Sequence, residues 1–153
     1  MRYVLLDRIT LLKPPDLATG LKCVSLSDDF FVDHFPGIPV MPGALILEGM
    51  SQLGGTLLEA AMREKGKPDV SALLTMVERA KFRTPVRPGD RIELEARTLA
   101  FSDNAGQVQA SAKVEGKLVA EATITFAFVD VKNQKLLESR AEYLKILLTG
   151  ATE

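Results

Sequence analysis

Ile92, Leu94, Ala96 and Thr98 alternate with Arg91, Glu93, Glu95 and Arg97, a period of two that predicts a half-buried strand. Val108, Ala110, Ala112 and Val114 share one face of a second strand, and Gly116 supplies a turn. Leu118, Ala120, Ala122, Ile124, Phe126 and Phe128 then carry the alternation through a third, giving an antiparallel meander. Ser102 to Gly106 reads as the turn between two of these strands, and earlier strands are expected over roughly 2–12, 20–27 and 71–83. The period changes after Pro42. The run GALILEGMSQLGGTLLEAAMREKGKP predicts a helix over about 43–65, with proline at its first helical position and Gly66 and Pro68 as stop signals. The first half of this helix is apolar on nearly every face, so the rest of the protein is expected to enclose it, with Gly49, Ser51, Gly54 and Gly55 admitting a close neighbour. From Asn133 to Gly150 a second, amphipathic helix is expected, capped by Asn133 and carrying Leu137, Ala141, Leu144 and Leu148 on one stripe. A long buried helix followed by an antiparallel sheet is an α+β arrangement in which the sheet can wrap the helix. The expectation is one domain over 1–153 with a C-terminal helical extension at about 133–150.

Composition narrows the class. A chain of 153 residues, 46% hydrophobic, carries enough apolar side chain for one core. Its 19 basic and 20 acidic residues nearly cancel, which argues against nucleic acid or an anionic membrane as partner. Cys23 and His34 are the only residues of their types, so no disulfide forms within the chain and no Cys/His zinc set exists; a reducing, cytoplasmic setting fits. Asp7 and Arg8 interrupt MRYVLLDRITLL too early for an export signal. Pro36, Pro39 and Pro42 break the most apolar stretch, Phe35 to Leu58, into a loop and a helix too short to span a bilayer.

Two side chains could carry chemistry. Glu48 is the only charged residue between Phe35 and Leu58, and an apolar setting favours its protonated form, as a general acid requires. Its position alone equally admits a structural glutamate bonded to a neighbouring strand. His34 precedes FPGIPVMPG, whose three prolines and two glycines fix a loop able to aim an imidazole base; packing beside Phe35 is the other reading. The free N–H groups at the helix start, near Gly43 and Ala44, could hold a carbonyl oxygen or simply face water. Gln52, one turn after Glu48, could orient that carboxyl group or satisfy backbone. Arg79, Lys81, Arg83 and Arg87 form either a docking surface for an acidic protein or a solvated strand edge.

The string DHFPGIPVMPGALILEGMSQLGG closely resembles the active-site region of the bacterial 3-hydroxyacyl-[acyl carrier protein] dehydratases of the FabZ type. In that pattern histidine opens an HFPGxPVxPG loop, glutamate follows fourteen residues later and glutamine four beyond it, here His34, Glu48 and Gln52. ERAKFRTPVRPGDRIEL extends the likeness, which covers roughly residues 4–130. The resemblance implies a hot-dog fold, its antiparallel sheet wrapped around one long central helix. It also implies a homodimer that can assemble into a trimer of dimers, and sites in which His34 of one subunit works with Glu48 of the other. By the same likeness the reaction is dehydration of a 3-hydroxyacyl thioester, His34 as base, Glu48 as acid and the Gly43 region on the carbonyl, with no metal or organic cofactor. The substrate would ride on acyl carrier protein, with coenzyme A as the other carrier. Asp33 stands where the family has glycine, Leu73 where many members have a gating tyrosine, and the tail helix is an addition. The rival readings are a hot-dog acyl thioesterase and a non-catalytic, dehydratase-like subunit that binds acyl carrier protein.

Overall fold

The alternating segments pair into one sheet. In the computed structural model, which describes Met1 and residues 3–151, the strands are β1 (Arg8–Lys13), β2 (Leu17–Cys23), β3 (Val70–Phe82), β4 (Arg91–Phe101), β5 (Ala105–Val114) and β6 (Lys117–Asp130). Their order is β1-β2-β4-β5-β6-β3, with every neighbouring pair antiparallel. Helix α1 (Gly43–Glu64) packs against the sheet, and α2 (Gln134–Leu147) closes the described chain. Ile92, Leu94, Ala96, Val108, Ala110, Ala112, Ala122, Ile124 and Phe126 face inward and form one core with Met50, Leu53, Leu57 and Leu58 of α1. Burying each large side chain of this set stabilises the fold by about 1.5–3 kcal/mol. Gly54 lets α1 sit close to the sheet, because a Cβ there would lie 2.9 Å from Val108. Gly66, at φ +79°, ends α1: its N–H donates to Arg63 O and the Lys67 N–H to Met62 O, both at 3.0 Å.

Several expectations need correction. Pro42 caps α1 from outside and is not its first helical residue. The first strand begins at Arg8 because the Leu5 N–H donates to the Gln52 side chain instead of a strand; Arg2, where that strand was expected to start, and residues 152–153 lie outside the described residues. β2 starts at Leu17, after a turn closed by Asp16 N–H on Lys13 O, and stops before a turn in which Asp28 accepts from Ser25 N–H. The expected turn from Ser102 shortens, since β5 already begins at Ala105. In β6 the alternation slips where Ala112 pairs with Ala120 but Lys113 pairs with Leu118, a bulge that leaves Val119 buried beside Ala120.

Enclosure of α1 is the larger correction. Leu45, Leu47, Glu48, Gln52, Thr56 and Glu59 are only half-buried. β3 is a sheet edge whose Leu73, Leu74, Met76 and Phe82 are exposed. The tail helix forms as expected, with Asn133 Oδ1 accepting from Leu136 N–H at 3.2 Å. Leu147 is buried, and Tyr143, Leu144 and Leu148 pack on the core. Among the described residues no helix is long and apolar enough to cross a membrane.

Candidate active site

The loop carrying His34 is closed by its own backbone. Phe35 and Ile38 exchange two backbone hydrogen bonds, of 3.0 and 2.9 Å, around Gly37 at φ +78°; Val40 N–H donates to His34 O, and Met41 N–H to Val86 O. The His34–Phe35 peptide bond is cis. His34 Nδ1 lies 2.7 Å from Val40 O. A carbonyl oxygen only accepts, so Nδ1 carries the hydrogen and donates it, which leaves Nε2 of the neutral ring with the lone pair. The Phe35 ring stacks on the imidazole with centroids 4.0 Å apart. One backbone contact and one ring thus hold the imidazole in place.

Glu48 sits in the second turn of α1, where Gln52 Nε2 donates to its Oε1 at 3.1 Å. Gln52 also donates to Tyr3 O and accepts from Leu5 N–H, each at 3.0 Å, so one side chain ties the carboxylate to the N-terminal segment. Glu48 and Gln52 open onto a cavity of about 780 Å³, within the range of small-molecule sites. Its walls are the half-buried face of α1, Leu73 and Leu74 of β3, and Leu137, Ala141 and Leu144 of α2. At the start of α1 the first backbone bonds run from Leu45 and Ile46 N–H to Pro42 O. The Gly43 and Ala44 N–H groups therefore stand outside the intrahelical ladder, at the positive end of the helix, with no acidic residue in the first turn. Phe82 covers Gly43 so closely that a Cβ there would lie 2.9 Å from its ring.

The structure brings Glu48 together with Gln52 and puts Gly43 and Ala44 at a helix start. His34 it leaves apart: the imidazole bonds to Val40 and stacks on Phe35, and it does not line the cavity that Glu48 enters. Glu59 was missed. It accepts from Ala72 N–H at 2.9 Å and from Arg140 across 81 residues of chain. The signal was present, because Glu48, Gln52, Thr56, Glu59 and Arg63 recur at helical spacing and make a polar stripe down an apolar helix. Among the described residues no three metal-ligating side chains gather.

Comparison with known proteins fixes the family. A family model described as a FabA-like domain matches residues 1–123. The 3-hydroxyacyl-[acyl-carrier-protein] dehydratase FabZ of Campylobacter jejuni strain RM1221 is 43% identical over 129 residues, 84% of this chain and 88% of that protein. The protein of the same name from Nitratidesulfovibrio vulgaris is 41% identical, covering 82% and 80%. Among solved structures, a dehydratase heterocomplex from Xenorhabdus doucetiae superposes with a TM-score of 0.65 at 13% identity, covering 90% of this chain and 89% of that one. A thioesterase from Haemophilus influenzae gives 0.61 at 15%, covering 82% and 80%. At such identities the two structures speak for the hot-dog fold alone. The sequence relatives go further: the chain belongs to the FabA-like family and, within it, to the FabZ-type 3-hydroxyacyl-[acyl-carrier-protein] dehydratases.

Proposed function

We propose that the chain removes water from a 3-hydroxyacyl thioester carried on acyl carrier protein, with His34 as base and Glu48 as acid in a site shared by two copies of the chain. The Glu48–Gln52 pair opening onto a largely apolar cavity carries this reading. The thioester carbonyl acidifies the hydrogen on C2, and His34 Nε2, freed by the Nδ1 bond to Val40, accepts it. Negative charge moves onto the carbonyl oxygen, where the Gly43 and Ala44 N–H groups stabilise it. Glu48 gives its proton to the 3-hydroxyl as the C3–O bond breaks, so C2 and C3 become doubly bonded and water leaves. Gln52, donating to Oε1, holds the acid in place. Each step uses groups of the protein alone.

Separation of His34 from Glu48 within one chain supports a shared site. So do Leu73, Leu74 and Met76 on the edge of β3 and the unenclosed face of α1, which a second copy would cover in a two-fold contact. Carrier protein is favoured over coenzyme A by Arg79, Lys81, Arg83 and Arg87, all exposed. Phe82, in the midst of them, packs on Gly43, so an acidic carrier docked there would deliver its thioester at the start of α1. A reducing cytoplasm suits Cys23, which is free and exposed.

The test is to follow 3-hydroxyacyl-carrier substrates by mass spectrometry, where dehydration gives the enoyl thioester and a thioesterase would give free acid. His34→Ala and Glu48→Gln should each lower turnover at least about a hundredfold. Mixing the two inactive chains under subunit exchange should restore activity in about a quarter of the sites, since half of the dimers are mixed and each mixed dimer holds one intact site. No recovery despite proven exchange would place both residues of a site in one chain.

A further inference from the structure

The family match ends at residue 123, whereas α2 begins at Gln134. This added helix is nonetheless part of the cavity. Leu137, Arg140, Ala141 and Leu144 line it across from Thr56 and Glu59 of α1. It is also anchored. Arg140 pairs with Glu59, whose carboxylate is only 14% exposed and also accepts from Ala72 N–H. The Tyr143 hydroxyl donates to Leu6 O at 3.5 Å, and Leu147 is buried in the core.

We propose that α2 closes the far end of the acyl cavity and that the Arg140–Glu59 pair sets the longest acyl chain the enzyme accepts. This rests on reading the cavity as the acyl site. Glu48 and Glu59 lie on the same face of α1, eleven residues apart, which at 1.5 Å per residue is about 16 Å. Leaving about 4 Å for contact with the ion pair gives about 12 Å of free length. An extended alkyl chain, with bonds of about 1.5 Å at angles near 111°, advances about 1.25 Å per carbon. About ten carbons therefore fit beyond the C3 carbon that faces Glu48, an acyl chain of about thirteen carbons in all, longer than decanoyl and shorter than hexadecanoyl. A longer chain must push an apolar methyl against a charged pair held from two sides, or turn back on itself. Leu73 and Leu74 keep the near walls apolar, whereas from Glu59 and Arg140 onward the lining turns polar with Arg63, Asp69 and Glu138, so this polar region is the element that discriminates.

The experiment compares wild type with Ala141→Phe, which fills the far end from an exposed position, and Leu137→Ala, which widens it. Carrier-linked 3-hydroxybutyryl, 3-hydroxydecanoyl and 3-hydroxyhexadecanoyl substrates give kcat/KM. Inert S-alkyl pantetheine thioethers of matching lengths give Kd by calorimetry. Wild type should favour decanoyl over hexadecanoyl by about tenfold, as expected when a pocket must refuse methylenes. Ala141→Phe should lower the decanoyl-to-butyryl ratio about tenfold, and Leu137→Ala should raise the hexadecanoyl-to-decanoyl ratio at least about fivefold. Turnover with one and the same length profile in all three proteins would overturn the role of α2 while leaving the dehydratase reading intact. Thioether affinities whose length limit moves with the variants, in a protein that dehydrates nothing, would sustain the wall and remove the reaction. Neither length-dependent binding nor turnover would remove both.

Discussion

Replacing Gln52 with leucine tests whether Glu48, the proposed acid, is held by the same contacts that hold the N-terminal segment. The substitution keeps the bulk of the side chain and removes three hydrogen bonds at once: from Leu5 N–H, to Tyr3 O and to Glu48 Oε1. Tyr3 is exposed, so its carbonyl passes to water at little cost. Leu5 is buried, and its N–H would be left without an acceptor, a loss of about 1–3 kcal/mol. Apolar atoms gained at a half-buried position return at most about 1 kcal/mol. At the midpoint of each range the net is about 1.5 kcal/mol, a fall in Tm of about 3–6 °C for a domain of this size. Thermal unfolding by circular dichroism measures it, at one fixed protein concentration, since Tm would depend on concentration in the proposed dimer. Turnover supplies the second readout: kcat should fall about tenfold with KM little changed, the pattern of a contact that matters in the transition state. Gln52→Glu separates the two effects, since it keeps an acceptor for Leu5 but sets a second carboxyl against Glu48, and it should lose turnover with a smaller drop in Tm. A Gln52→Leu protein melting within about 1 °C of wild type would refute the reasoning, because a buried amide cannot lose its acceptor at no cost.

Met76→Lys puts a charge on the exposed edge strand and should shift the chain to monomer at micromolar concentration, seen by sedimentation velocity; an unchanged assembly would mean that β3 is not the contact. Arg79→Glu with Lys81→Glu should raise KM about tenfold for a carrier-linked substrate and leave a pantetheine-linked one alone, and equal effects on both would rule out docking there. Asp33 is exposed, and no hydrogen bond or ion pair joins it to His34. Asp33→Gly should therefore keep turnover within about threefold, and a larger change would show that its charge reaches His34.

The meander was legible because one face of β4, β5 and β6 meets α1 while the other does not, so burial imprints a period of two on residues such as Ile92, Leu94 and Ala96. α1 was legible from its composition and stop signals, and its end falls at Glu64 beside Gly66. Val119 was not, because a bulge inserts a residue without changing the chemistry of its neighbours. The start of β1 was misplaced because the partner of Leu5 N–H is a side chain 47 residues away, which no local pattern records. β3 reads as an ordinary apolar strand, and its exposure follows only from its place at the sheet edge. In the site, Glu48 and Gln52 could be paired by helical spacing, whereas Glu59 and Arg140 sit on different helices and meet only through the fold.

The sheet order also decides when the molecule can fold. β3 is made third among the strands, yet its neighbour is β6, the last, with Val70 opposite Asp130. A ribosome must therefore extend the chain past residue 130 before the Leu73–Met76 segment finds its hydrogen-bonding partner, and α1 emerges well before the strands that cover it. Such distant pairings slow folding, because the entropy of closing long loops is lost before any contact repays it. During that interval the nascent chain exposes an apolar helix and an apolar strand together, the kind of surface that chaperones hold.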